Sequence, residues 1–209
     1  MKRVLCYGDS NTYGLNPHTN LRYSEKERWT GILQEILGNE YAVIEEGLNG
    51  RTTVLSEPGM EYRNGYSYLE PCLLTHIPVD YLIFMLGTND TKILFGKEPK
   101  EIAAQMRKLI ETAQRVLQED NTKECKILLV SPAALGDKVA DGPLGHEFDA
   151  ESARKSKELS FYYKKEAELA GIDFLDLAQF VESSDIDGIH LSVDAHKIIA
   201  ERISIWIKG

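Results

Sequence analysis

The amino-acid sequence predicts an α/β protein, a three-layer α/β/α domain built around a five-stranded parallel sheet. Short apolar runs alternate along the chain with longer segments whose apolar residues recur at helical spacing. The short runs are nearly continuous in apolar residues, as strands buried on both faces of a parallel sheet must be. The runs also stop in a regular way. Gly8-Asp9-Ser10-Asn11, Asn49-Gly50 and Gly87-Thr88-Asn89-Asp90 place small polar residues at successive strand ends, the edge where open α/β sheets hold their ligands.

The first strand spans residues 3–7. Gly8 permits a sharp turn, in which Asp9, Ser10 and Asn11 tie up free backbone groups. Asn16-Pro17 and residues 18–20 read as a loop. Ser24 then caps a helix carrying Trp29, Ile32, Leu33, Ile36 and Leu37 as one apolar stripe, ended by Gly38-Asn39. Residues 41–44 form the second strand, running out through Glu45-Glu46 into Gly47-Leu48-Asn49-Gly50. Pro58, Gly59, Asn64 and Gly65 make 54–65 irregular, and a helix over about 66–76 follows. Residues 80–86 are the third strand.

The clearest helix opens at Pro99, a favoured first-turn residue. Ile102, Ala103, Met106, Leu109, Ile110, Ala113, Val116 and Leu117 fall on one of its faces. Residues 125–130 make the fourth strand. Residues 133–149, rich in Gly, Pro and Asp, are the longest candidate for a loop over a site. A helix from Asp149 or Glu151 to Ala170 and a short fifth strand at 172–175 follow. After a loop at 184–191, Ser192 caps a last helix with Ala195, Ile198, Ile199, Ile203 and Trp206 inward. No linker, repeat or low-complexity stretch interrupts residues 1–209, so one domain is expected.

At 43% hydrophobic and 27% charged residues, the composition is that of an ordinary globular protein. A net charge of −9 argues against nucleic acid as a partner, because phosphate binding needs clustered Lys and Arg. No apolar run approaches the roughly 20 residues of a membrane span. Four apolar residues after Lys2-Arg3 are too few for a signal peptide, so a cytoplasmic location is expected. Cys6, Cys72 and Cys125 match no zinc spacing or disulfide framework, and Cys6 and Cys125 read as small buried hydrophobes. The five histidines show no His-x-x-x-His pattern; neither metal nor cofactor is expected.

Strand ends of a parallel sheet share one edge, so Ser10, Asn49-Gly50 and Asn89-Asp90 can converge although far apart in sequence. Asp187-Gly188-Ile189-His190, in the loop before the last helix, can reach the same edge. Each block has an ordinary reading alone: Ser10 as a helix cap, Asn89-Asp90 and Asp187-Gly188 as turns, His190 as a locally bonded side chain. Together the four blocks resemble those of the SGNH (GDSL-type) hydrolases, in the family's order and from residue 4 to residue 192. The likeness extends to the bacterial arylesterase/acyltransferase branch through Arg28-Trp29-Thr30-Gly31, Glu45-Glu46-Gly47-Leu48, Arg51-Thr52-Thr53 and Met85-Leu86 with Thr91-Lys92.

The resemblance implies a flavodoxin-like sheet and a set of roles. Ser10 becomes the nucleophile, His190 its base and Asp187 the acid that orients the imidazole. A serine hydroxyl needs such a base, and histidine, with a reference pKa of about 6.5, can take and return a proton near neutrality. The oxyanion hole comprises the N–H of Ser10, the N–H of Gly50 and the side-chain amide of Asn89. Asn11 stands where the family usually has leucine, a departure that bears on the turn. Asp185 is a second, less well-spaced candidate acid. Asp9 and Asp90 read as groups that tie down backbone, while His18, His76, His146 and His196 have no partner motif. Tyr13, Lys92 and Ile189 flank the motifs as candidates to line the acyl or alcohol pocket.

The expected function is a serine ester hydrolase acting on a small ester through a Ser10 acyl-enzyme. The branch resemblance adds short acyl chains, transfer to alcohols and a homo-oligomer. A carbohydrate O-deacetylase, and behind it a thioesterase or lysophospholipase, would use the same triad. The non-enzymatic alternative is a ligand-binding module on a flavodoxin-like frame, although no Gly-rich phosphate loop is present. Loops 54–65 and 133–149 would decide among the alcohols.

Overall fold

The computed structural model describes residues 1–119 and 124–209. Five strands, β1 (Lys2–Gly8), β2 (Tyr41–Gly47), β3 (Tyr81–Met85), β4 (Lys126–Ser131) and β5 (Asp173–Asp176), form one parallel sheet in the order β2-β1-β3-β4-β5. Among the described residues six α-helices accompany them: α1 (Ser10–Tyr13), α2 (Trp29–Leu37), α3 (Gly65–His76), α4 (Pro99–Glu119), α5 (Ala150–Ala170) and α6 (Val193–Lys208).

Alternation along β1 shows why the fold has three layers. Leu5 and Tyr7 face a core built with Leu69 and Leu73 of α3, Met106 and Ile110 of α4 and Tyr163 of α5. Val4 and Cys6 face the opposite core, with Trp29 and Leu33 of α2 and Ile199 and Ile203 of α6. The same strand supplies both because successive side chains point to opposite faces. The strand order reverses at β1, which lies between β2 and β3. The crevice outside the ends of β1 and β3 is therefore the switch point at which such sheets bind ligands.

The structure departs from the sequence expectations in four places. Ser10–Tyr13 is one turn of helix rather than an irregular turn, capped by Asp9, whose carboxylate accepts the Asn11 N–H. Helix α2 starts at Trp29 and not at Ser24. Residues 24–28 form a separate turn in which the Ser24 hydroxyl and N–H bind Glu27, and Arg28 is extended so that its guanidinium can reach Glu45. Strand β2 continues through Glu45 and Glu46 to Gly47. Those acids read as loop in the sequence, yet Arg28 and Thr30 hold Glu45 and His76 holds Glu46. Cys125 is only partly buried, just ahead of β4. No helix of the described residues is long and apolar enough to cross a membrane.

Candidate active site

Ser10 follows β1 directly. A Cβ on Gly8 would lie 2.0 Å from Thr12 Oγ1 and 2.8 Å from the Met85 carbonyl oxygen, so only glycine lets the chain turn this tightly beside β3. As the first residue of α1, Ser10 keeps its N–H out of the helical hydrogen bonding. The residue is 6% exposed.

The loop before α6 meets this serine. His190 Nε2 lies 2.9 Å from Ser10 Oγ, and His190 Nδ1 lies 2.6 Å from Asp187 Oδ2. The other oxygen of Asp187 accepts the N–H groups of Ile189 and His190, both at 2.9 Å. Burial acts to raise the Asp187 carboxyl pKa. The hydrogen bond and charge of His190, with the two backbone donors, outweigh it and hold the group below its ordinary range. Asp187 and His190 are buried while Asp185 is exposed, so geometry favours Asp187 as the partner of the imidazole. Serine, imidazole and carboxylate thus form one hydrogen-bonded chain, which can activate a hydroxyl for attack.

Asn89 and the 48–53 segment close the other side. The Asn89 amide donates one hydrogen to the Arg51 carbonyl oxygen at 3.1 Å; a primary amide has a second to offer. The same segment is fastened to the end of β1, because the Gly8 carbonyl accepts both the Leu48 N–H and Arg51 Nη1 at 3.1 Å. Asp90 binds the Thr53 N–H and hydroxyl, in keeping with the backbone-tying role read from its position. Gly50 takes φ +77°, and a Cβ there would lie 2.7 Å from Arg63 Nε. Asp9 and Asp90 are both deeply buried. Burial pushes each carboxyl up to about 6, against the Asn11 N–H in the first case and the Thr53 donors in the second.

The three candidate pocket residues have different surroundings. Ile189 is buried among Leu135, Val139, Phe148 and Ala153. Tyr13 is partly exposed beneath the Arg22 guanidinium, 4.6 Å from its ring centroid, and stands outside the hydrogen-bonded chain. The Lys92 ammonium is almost fully buried between Glu57, at 3.4 Å, and Glu147. It links the 54–65 and 133–149 loops. Loop 133–149 braces the segment carrying Asp187: the Gly136 N–H donates to the Gly188 carbonyl at 2.8 Å and Val139 packs on Gly188. Between them lies a cleft of about 920 Å³, lined by residues 134–138, 141–143, Lys157, Ala178 and 181–188. Ser10, Gly50, Asn89 and His190 take no part in that cleft.

Sequence reasoning gave Asn11 only a part in the turn and Arg51 only a place in a family motif. The Asn11 amide donates to the Ile189 carbonyl at 3.3 Å, joining the Ser10 turn to the His190 loop. The Arg51 guanidinium lies 4.3 Å from the Tyr7 ring centroid and bonds the Glu46 and Gly8 carbonyls. Both act on backbone carbonyls, which leave no mark in the sequence; the signal available was the departure from leucine at 11.

A family model described as GDSL-like Lipase/Acylhydrolase family matches residues 6–198. Among solved structures, a carbohydrate acetylesterase from Sinorhizobium meliloti is 37% identical with a TM-score of 0.92, covering 100% of this chain and 99% of its own. The native aryl esterase of M. smegmatis is 34% identical with a TM-score of 0.92, at the same coverage of 100% and 99%. A further carbohydrate acetylesterase family member from S. meliloti is 31% identical, with a TM-score of 0.90 and coverage of 100% and 98%. The curated proteins contain no match.

Proposed function

The chain belongs to the GDSL-like lipase/acylhydrolase family and is a carboxylic ester hydrolase; from that premise we propose that it cleaves short-chain acyl esters through an acyl-enzyme on Ser10. The observation that carries this reading is the chain from Ser10 Oγ through the His190 imidazole to Asp187, at the sheet's switch point. Ser10 Oγ attacks the ester carbonyl carbon while its proton passes to His190 Nε2. The charge that develops on the carbonyl oxygen meets the N–H groups of Ser10 and Gly50 and the free hydrogen of the Asn89 amide. The C–O bond then breaks, the alcohol leaving with the proton from His190. Water repeats the sequence on the acyl-enzyme, releasing the carboxylic acid and regenerating Ser10. Asp187 stays ionised throughout, orienting the ring and balancing its charge.

The acyl half is acetyl or slightly longer, in keeping with similarity to both a carbohydrate acetylesterase and an aryl esterase. The alcohol half separates two readings, an aryl or simple alkyl alcohol and a sugar hydroxyl. Transfer of the acyl group to an added alcohol and a homo-oligomeric state complete the proposal on the strength of the resemblance, beside the sequence expectations of a cytoplasmic location and a single domain over residues 1–209. A chromogenic aryl acetate tests the core of it: wild type hydrolyses the ester, and Ser10→Ala loses about 10⁴-fold or more in kcat. Equal rates in the two proteins would refute Ser10 as the nucleophile. Acetylated sugar oligomers compared with aryl esters of rising chain length then assign the alcohol and the acyl limit.

A further inference from the structure

Glu46, Cys72 and His76 bring a carboxylate, a thiol and an imidazole together outside the active site, with one ligand atom from each within 4.8 Å of the other two. Cys72 and His76 are four residues apart on α3, so one face of the helix presents both. Glu46 comes from β2, the edge strand, and its Oε1 lies 2.9 Å from His76 Nε2. None of the three takes part in the proposed acyl transfer. We propose that Glu46, Cys72 and His76 form a binding site for one thiophilic divalent cation of the zinc class, which pins edge strand β2 to helix α3.

The donor set selects the ion. One sulfur, one imidazole nitrogen and one carboxylate oxygen suit zinc or cobalt, whereas magnesium and calcium take oxygen ligands almost exclusively. A carboxylate and a thiolate together balance a double positive charge. The Glu46 and His76 side chains are 18% and 22% exposed, which leaves an ion a path in and water a fourth coordination position. Two features oppose binding. Burial, with the Glu46 charge, pushes the Cys72 thiol up to about 12, so a cation must displace its proton. Arg51, which lies beside the Tyr7 and Tyr68 rings, adds positive charge nearby. Thiolate–metal bonding has to exceed both, which excludes weakly bonding hard cations and keeps the thiophilic ones. Cys-x-x-x-His has the same helical spacing as the His-x-x-x-His pattern sought in the sequence, with sulfur in place of one nitrogen.

Cobalt titration of the metal-stripped full-length protein reads the site directly, since a thiolate bound to cobalt absorbs by charge transfer. The expected result is one equivalent of cobalt with that absorption, displaced by zinc. Cys72→Ser abolishes the band, His76→Gln and Glu46→Gln each weaken cobalt binding about ten-fold or more, and Cys125→Ser changes nothing. Circular dichroism establishes that each variant is folded. Should Cys72→Ser not fold, His76→Gln and Glu46→Gln decide the matter. Wild type without the band, a band that survives in folded Cys72→Ser, or binding unchanged in both His76→Gln and Glu46→Gln overturns the proposal.

Discussion

Asn11 holds the Ser10 turn and the His190 loop in register through a single amide. Its N–H binds Asp9, its carbonyl accepts Trp29 Nε1 at 3.1 Å, and its side-chain amide binds the Ile189 carbonyl. Its own Oδ1 is buried with no hydrogen-bond partner among the described residues. Asn11→Leu removes that orphan along with one donor, so stability should change by no more than about 1 kcal/mol. Loss of the tie should lower kcat about five-fold, the equivalent of about 1 kcal/mol in the barrier. Urea unfolding and steady-state kinetics separate the two effects, and an unchanged kcat would leave Asn11 a purely local turn residue. Asn89→Ala should act differently, lowering kcat by about 10²–10³ with little change in KM, because in the proposed mechanism the amide hydrogen not bound to the Arg51 carbonyl meets the developing oxyanion. Ser10, Asn89, Asp187 and His190 were singled out by the family resemblance, and the structure brings Ser10, Asp187 and His190 into one hydrogen-bonded chain. The contacts of Asn11 and Arg51 were not legible, because their partners are carbonyl oxygens that every residue carries.

Elements were legible where their apolar pattern was long. Helix α4 starts at Pro99 as its stripe predicts, and α5 and α6 take Asp149 and Ser192 as caps. The errors fell where polar side chains find partners across the fold: at Glu45-Glu46, which pairing with Arg28, Thr30 and His76 holds in β2, and at residues 24–28. Another such partnership joins α6 to α2. His196 is fully buried, and its Nδ1 accepts the Trp29 N–H at the start of α2 at 3.3 Å. Burial, with the charge of nearby His190, lowers its pKa to about 4. An unfolded histidine takes up its proton near pH 6.5, whereas the folded one stays neutral to about 4. Between those values the unfolded state binds more protons, so this group's contribution to stability falls as pH drops. Asp9 and Asp90 work in the opposite sense. Their folded values of about 6 exceed the unfolded ones, so their contribution falls as pH rises from about 4 to 6. His196→Gln, which keeps an acceptor for Trp29, should therefore lose less stability than wild type between pH 6.5 and 4.5. Asp9→Asn should gain relative to wild type as pH rises from 4.5 to 7. Denaturation midpoints measured across pH check both signs, and parallel curves for all three proteins would contradict them.

At the scale of the molecule, the strand order 2-1-3-4-5 puts the Ser10 and Asn89 turns side by side, and an ion-pair chain holds the rim above them together. Arg63 meets Glu57 at 3.2 Å, Glu57 meets Lys92, and Lys92 meets Glu147. This chain crosses from the 54–65 loop to the 133–149 loop, and Arg63 rests on Gly50 at one end. The sequence marked 54–65 as irregular and 133–149 as a long loop, but not that one buried lysine binds them, because Lys92 is separated from both acids by dozens of residues. Such a cation between two carboxylates is expensive to remove, since each acid then faces like charge in a partly buried place. Lys92→Met keeps an unbranched apolar stem and deletes the charge. The 54–63 and 144–149 backbones should then open together, with faster amide exchange in both and none in β1, β3 or β4. Glu57→Gln should reproduce the opening and, by freeing Arg63 over Gly50, lower kcat further than Lys92→Met does. Hydrogen exchange by mass spectrometry on folded variants reads both effects. Faster exchange in only one of the two loops would show that Lys92 serves that loop alone, and that the two loops move independently.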